Sequence, residues 1–172
     1  MTRWIPIALA AGVLMAGCSD DNSTGPTNLP IVFSALLSPA SEVPPVGNAE
    51  SGGSGSMQIS FDVNRDATGG ITDGTASVYI SFSGYPAGTR VVGAHIHPGA
   101  AGVNGPVLVP TAISAAAPFV LTDGSGEYRA SGITVSGANL AAIAANPAGF
   151  YFNVHSPLNP GGFSRGQLRR VQ

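Results

Sequence analysis

Met57-Gln58-Ile59-Ser60-Phe61-Asp62-Val63 alternates an apolar side chain with a polar one at every step. A period of two is the pattern of a β-strand with one face in a core and the other toward water. Working outward, Val78, Ile80 and Phe82 alternate in the same way with Ser77, Tyr79 and Ser81. Further strands are expected at Ile31–Leu37, Arg90–His97, Pro106–Val109, Pro118–Thr122, Glu127–Val135, Gly149–His155 and Ser164–Val171. Turn signals separate them at Asp66 to Gly70, Asp73-Gly74 and Gly84 to Gly88. Short strands at this regular spacing predict an all-β fold, an antiparallel sandwich. One segment breaks the pattern. Ser136 to Ala145 favours a short helix centred on Leu140–Ala145, capped by Ser136 and ended by Asn146-Pro147. Leu140 and Ile143 would face the sandwich and cover an open end of its core.

The composition narrows the function classes. The chain has 172 residues, which allows one domain once the N-terminus is set aside. Seven basic and nine acidic side chains give a net charge of −2, and every basic one is Arg. No basic patch stands out, which argues against a nucleic-acid partner. Low charge with 24 Gly and 14 Pro suits a β-rich domain outside the cytoplasm. Asp62, Asn64 and Asp66 are spaced like the start of a calcium loop, but the rest of that pattern is missing, so a turn is expected. Glu42, just before Pro44-Pro45, reads as a solvated residue in an extended segment. No serine stands in a nucleophile-elbow context, and nothing indicates a hydrolase. The expected class is a non-enzymatic one.

The N-terminus sets the compartment. Arg3 gives a short positive region, and Ile5 to Ala16 give an apolar run too short to span a bilayer comfortably. Ala16-Gly17-Cys18 follows, and Cys18 is the single cysteine. This resembles a bacterial lipoprotein signal, which implies cleavage after residue 17 and lipidation of Cys18. Residues 18–30 then form a polar tether, and residues 31–172 the folded domain. Such a chain would be anchored in the cell envelope through its lipids, with the membrane as its first partner. Ser19 after the cysteine suits the outer membrane, on its periplasmic or surface face. With no second cysteine the domain has no internal disulfide.

All three histidines fall in two strand-like segments, Ala94-His95-Ile96-His97 and Phe150-Tyr151-Phe152-Asn153-Val154-His155. Strand parity sets His95 and His97 opposite Ala94 and Ile96, and sets His155 with Tyr151 and Asn153 opposite Phe152 and Val154. The three rings are thus expected on the face away from the core. Two imidazoles at i and i+2 can converge on one ion, and imidazole suits copper and zinc. The competing reading is that they bond loop carbonyls and fix the Pro- and Gly-rich turns after them, Pro98-Gly99 and Pro157.

Three passages carry a longer signature: Leu37 to Val46, Ala94 to Val107 and Asn153 to Leu168. Together they resemble the CHRD domain, named after the repeats of chordin, over Ile31 to Leu168. The acidic residue usual near Phe163–Ser164 is absent here. The resemblance implies an immunoglobulin-like or superoxide-dismutase-like Greek-key sandwich and says little about function. A weaker resemblance is to copper/zinc superoxide dismutases. It implies that His95, His97 and His155 match three copper ligands, with Arg165 near the site. The bridging histidine has no counterpart. The favoured expectation is a binding or surface-interaction module for a protein or envelope polymer. The alternative is a copper- or zinc-binding protein using His95, His97 and His155, with dismutase-like activity as its further extension.

Overall fold

A computed structural model describes Met1 and residues 29–172. The signal segment, Cys18 and most of the tether lie outside the described residues. The chain runs β1 (Ile31–Leu37), β2 (Ser54–Arg65), β3 (Ile71–Ser83), β4 (Thr89–Val91), β5 (Gly93–Pro98) and β6 (Val109–Pro110). It continues with β7 (Phe119–Leu121), β8 (Gly126–Ser136), α1 (Gly137–Ala145), β9 (Phe150–His155), β10 (Ser164–Gln167) and β11 (Arg169–Arg170). One sheet has the order β11-β1-β2-β3-β8 and the other β10-β9-β5-β6. β4 and β7 form a separate two-stranded ribbon. Every pairing is antiparallel, as expected of the sandwich.

The period-two runs place their apolar residues inside. Met57, Ile59, Phe61, Ile80 and Phe33 from one sheet meet Ile96, Phe152 and Val154 from the other, and Phe163 just before β10, each at 1% exposure or less. Truncating a residue such as Phe152 would cost about 3–5 kcal/mol through lost burial and an unfilled cavity. The helix forms where expected. The Ser136 side chain accepts from the Asn139 N–H, and Leu140 and Ile143 are buried.

Several boundaries differ from the expectation, each for a local reason. Asp73-Gly74 is not a turn: both residues sit within β3, paired to Asn64 and Val63. A Cβ at residue 74 would collide with the Asp62 carbonyl oxygen and crowd the Leu140 side chain. Glycine here admits close packing of α1 on the strand. The real turn is at Asp66, whose Oδ1 accepts from the Thr68 and Gly70 N–H groups. Arg90–His97 divides into β4 and β5, and β4 pairs with β7 instead of joining the larger sheets. The strand expected at Pro106–Val109 shrinks to Val109–Pro110, because residues 99–108 form a loop over the second sheet.

Candidate functional site

The outer face of the second sheet is a grid fixed by register. Gly93 stands opposite His155, His95 opposite Asn153, and His97 opposite Tyr151. On the other side of β9, Arg165 stands opposite Asn153. Opposed residues of an antiparallel pair project to the same face. The histidines therefore share one face, away from the hydrophobic core, as strand parity predicts.

That face is covered rather than open. His97 is 6% exposed, Tyr151 3% and Asn153 1%. His95 and His155 are half-buried. Loops from residues 38–50, 99–108 and 156–163 make the cover, and the histidines themselves hold two of them. His97 Nδ1 bonds the Gly105 carbonyl at 3.0 Å, and His155 Nδ1 bonds the Pro160 carbonyl at 2.9 Å. A carbonyl only accepts, so each Nδ1 carries the proton and each Nε2 keeps its lone pair. Glu50, itself buried, anchors the second loop by accepting from Ser156 Oγ and Asn159 Nδ2.

The three rings converge. One nitrogen from each of His95, His97 and His155 lies within 4.8 Å of the others. Ring centroids are 4.9 Å apart for His95–His155 and 5.7 Å for His95–His97. His95 Nδ1, His97 Nε2 and His155 Nε2 are buried and have no hydrogen-bond partner. Nitrogens on a tetrahedral zinc ion stand about 3.3 Å apart, so small ring rotations would close the set around one ion. Imidazoles whose Nδ1–H groups are fixed by carbonyls are already in the tautomer and orientation a metal requires.

Electrostatics keep the rings ready. Burial, with the neighbouring His155 and His97, pushes His95 down to about 4. Burial also lowers His97 and His155, against the opposing pull of their carbonyl partners, and the Arg165 charge adds to the lowering. All three are therefore neutral at pH 7 and able to donate lone pairs to a cation.

Behind the histidines lies a supporting stack. The His97 and Tyr151 rings are parallel within 5°, with centroids 4.9 Å apart. The Arg165 guanidinium carbon sits 4.3 Å above the same Tyr151 ring. Arg165 is 3% exposed, and its donors go to Glu42 Oε2, the Val103 carbonyl and Asn104 Oδ1. It lies near the site, but as a buried strut whose charge is paired with Glu42. Glu42 is 4% exposed, which corrects the expectation that it is solvated. Its burial raises its carboxyl above the ordinary value, while Arg165 pulls the other way. Sequence reasoning missed Glu42, Tyr151 and Asn153 as site residues. For the last two, shared parity with His155 was the available signal.

The comparison with known families bears on this whole region. The CHRD domain family model matches residues 33–168, from β1 to the residue before β11. The chain belongs to the CHRD domain family. The match covers nearly all of the sandwich and every site residue named above, so the histidine face is part of the CHRD domain itself. Membership supports a β-sandwich binding or interaction module. Neither a curated protein nor a solved structure shows a significant match to this CHRD domain.

Proposed function

We propose that this CHRD domain is a metal-binding module that holds one copper or zinc ion on His95, His97 and His155. Two observations carry the reading together: one nitrogen from each of the three rings converges with the others, and each ring has a buried nitrogen without a partner. Buried polar atoms ordinarily find partners, and three converging imidazoles that each leave a buried nitrogen unpartnered suit a cation. The two sequence readings of the histidines become compatible. Each of His97 and His155 fixes a loop carbonyl with one nitrogen and offers the other. In the proposed setting the module is tethered to the cell envelope, at the outer membrane, by lipids on Cys18. The support there is the short apolar run ending in Ala16-Gly17-Cys18.

The module is proposed to bind rather than to turn over superoxide. The chain has no fourth histidine to bridge a second metal, and no lysine to draw an anion toward the site. The test is metal analysis and calorimetry on the domain purified without a histidine tag. His95→Gln and His155→Gln are better probes than His97→Ala, because His97 is packed against Tyr151 and its removal would also loosen the fold. One Cu(II) or Zn(II) per wild-type chain, lost in both variants, is the expected result. No binding by the wild type, or unchanged binding in both variants, would overturn the reading.

A further inference from the structure

Asn153 is 1% exposed, and its side-chain oxygen has no hydrogen-bond partner. It stands directly across from His95 on the neighbouring strand and two residues before His155 on its own. Opposed side chains on one face begin about 4.5–5.5 Å apart at Cβ, so Asn153 borders the same volume as the rings. Its amide orientation is not free. Nδ2 donates to Glu42 Oε1 at 2.7 Å, and a carboxylate only accepts, so Oδ1 must be the end that turns away from Glu42. Glu42 is in turn held by Arg165 Nε at 2.9 Å. An ion pair therefore fixes which amide atom is left over.

The buried side-chain atoms without a partner on this face are three imidazole nitrogens and one amide oxygen. With His97 and His155 in the tautomers set by their carbonyl partners, and His95 in the tautomer that offers Nδ1 to a metal, all four act as acceptors. One cation satisfies three nitrogens and leaves a fourth position when the ion is tetrahedral. It does not satisfy the oxygen, which is a poor ligand for copper or zinc beside imidazole. A proton carried on the fourth ligand would satisfy it.

We propose that Asn153 Oδ1 accepts a hydrogen bond from a protic oxygen ligand, water in the resting protein, held on the fourth position of the metal. This rests on the three-histidine reading above. The site then favours small ligands that bring a proton and disfavours aprotic anions, which would displace the water and leave Oδ1 unpaired again. Asn153 acts as a positioning residue that selects the exchangeable ligand and does not itself bind the metal.

The test uses the Cu(II)-loaded mature domain with azide, an aprotic anion, as the probe. Asn153→Leu keeps the approximate volume and removes the acceptor. Copper affinity and three-nitrogen hyperfine structure should be retained, while azide binds about tenfold tighter because no water hydrogen bond is forfeited. Unchanged azide affinity in a copper-loaded variant would overturn the proposal. So would loss of copper binding by a folded variant, which would make Asn153 a direct ligand. Should Asn153→Leu fail to fold, proton hyperfine spectroscopy of the wild type in water and deuterium oxide decides. A strongly coupled exchangeable proton on Cu(II) is expected, and its absence overturns the proposal. A wild type that takes up no copper removes the metal site itself. A wild type with three nitrogen ligands but no azide effect removes only the role of Asn153.

Discussion

Arg165 Nε and Glu42 Oε2 form an ion pair at 2.9 Å, with both side chains 3% exposed. The partners are 123 residues apart in sequence. The pair ties the segment after β1 to β10, and through Arg165 it also ties the 99–108 loop to the sheet. A pair this deep gains from its Coulomb term only while both charges are present, since each alone carries a desolvation cost. Arg165→Ala is therefore expected to destabilise the domain by about 3–5 kcal/mol. Glu42→Gln should cost a comparable amount, because it leaves the Arg165 charge buried without its partner and sets an amide NH2 against one of the two donors the carboxylate accepts from, Arg165 Nε and Asn153 Nδ2. Urea unfolding of both variants checks this. A negligible loss in Glu42→Gln would contradict it.

The sandwich was legible because its strands alternate, and parity alone put His95, His97 and His155 on one face. What stayed illegible depends on long-range cover. Glu42 looks solvated beside Pro44-Pro45, and only the meeting of β10 with the 38–50 segment buries it. Asp73-Gly74 looks like a turn because the same dipeptide that turns a hairpin also lets a helix approach a strand. The burial of His97 follows from the 99–108 loop folding back over it, and no local pattern encodes that.

Tyr151 joins the stack to the loop. Its hydroxyl accepts from the Gly105 N–H at 3.2 Å, and the Gly105 carbonyl in turn accepts from His97. A Cβ at residue 105 would collide with the Pro98 carbonyl oxygen, so the loop passes close to the strand end only as glycine. Tyr151→Phe keeps the ring and strands the Gly105 N–H. A loss of about 1–3 kcal/mol is expected by denaturant unfolding. Metal affinity should fall about tenfold, because the carbonyl that orients His97 loses its own support. Unaltered affinity would show that the His97 ring is held by stacking alone.

Gly93 sits directly beside the site. A Cβ there would lie 3.0 Å from His95 Cε1 and 3.3 Å from His155 Cδ2. Both rings would have to give, and they are the rings that must close on the ion. Gly93→Ala should weaken copper or zinc binding about tenfold, since sites tolerate only small departures from their geometry. Calorimetric titration beside thermal unfolding separates this from a general loss of stability. Equal metal affinity in the variant would place the ion farther from Gly93 than the ring geometry implies.

Anchoring is tested apart from the fold. The apolar run ending in Ala16-Gly17-Cys18 motivates it. Cys18→Ala is expected to leave the chain unprocessed or to release it into the soluble fraction of the envelope. Membrane fractionation and the intact mass of the mature N-terminus report this. Wild-type protein that is already soluble, with a start other than residue 18, would remove the anchor.

The metal-free domain should lose stability as acid reaches the histidine face. Burial and the two neighbouring rings take His95 from its usual 6.5 to about 4 in the fold. Between those values the unfolded chain binds the proton and the folded one does not, so the unfolding free energy rises with pH across that window. The contribution is fully present above about pH 6.5 and is lost as pH falls toward 4. His97 and His155 are also lowered and act in the same direction. Glu42 acts the opposite way. Its raised carboxyl favours the folded state below its usual 4.5, and that contribution fades as pH rises. Comparing wild type with His95→Gln isolates the first contribution, because Glu42 is common to both. The expected outcome is a shallower rise of stability with pH in the variant, read from urea midpoints with chelator present. Parallel curves for the two proteins would mean that the His95 ring is better solvated in the fold than its burial indicates.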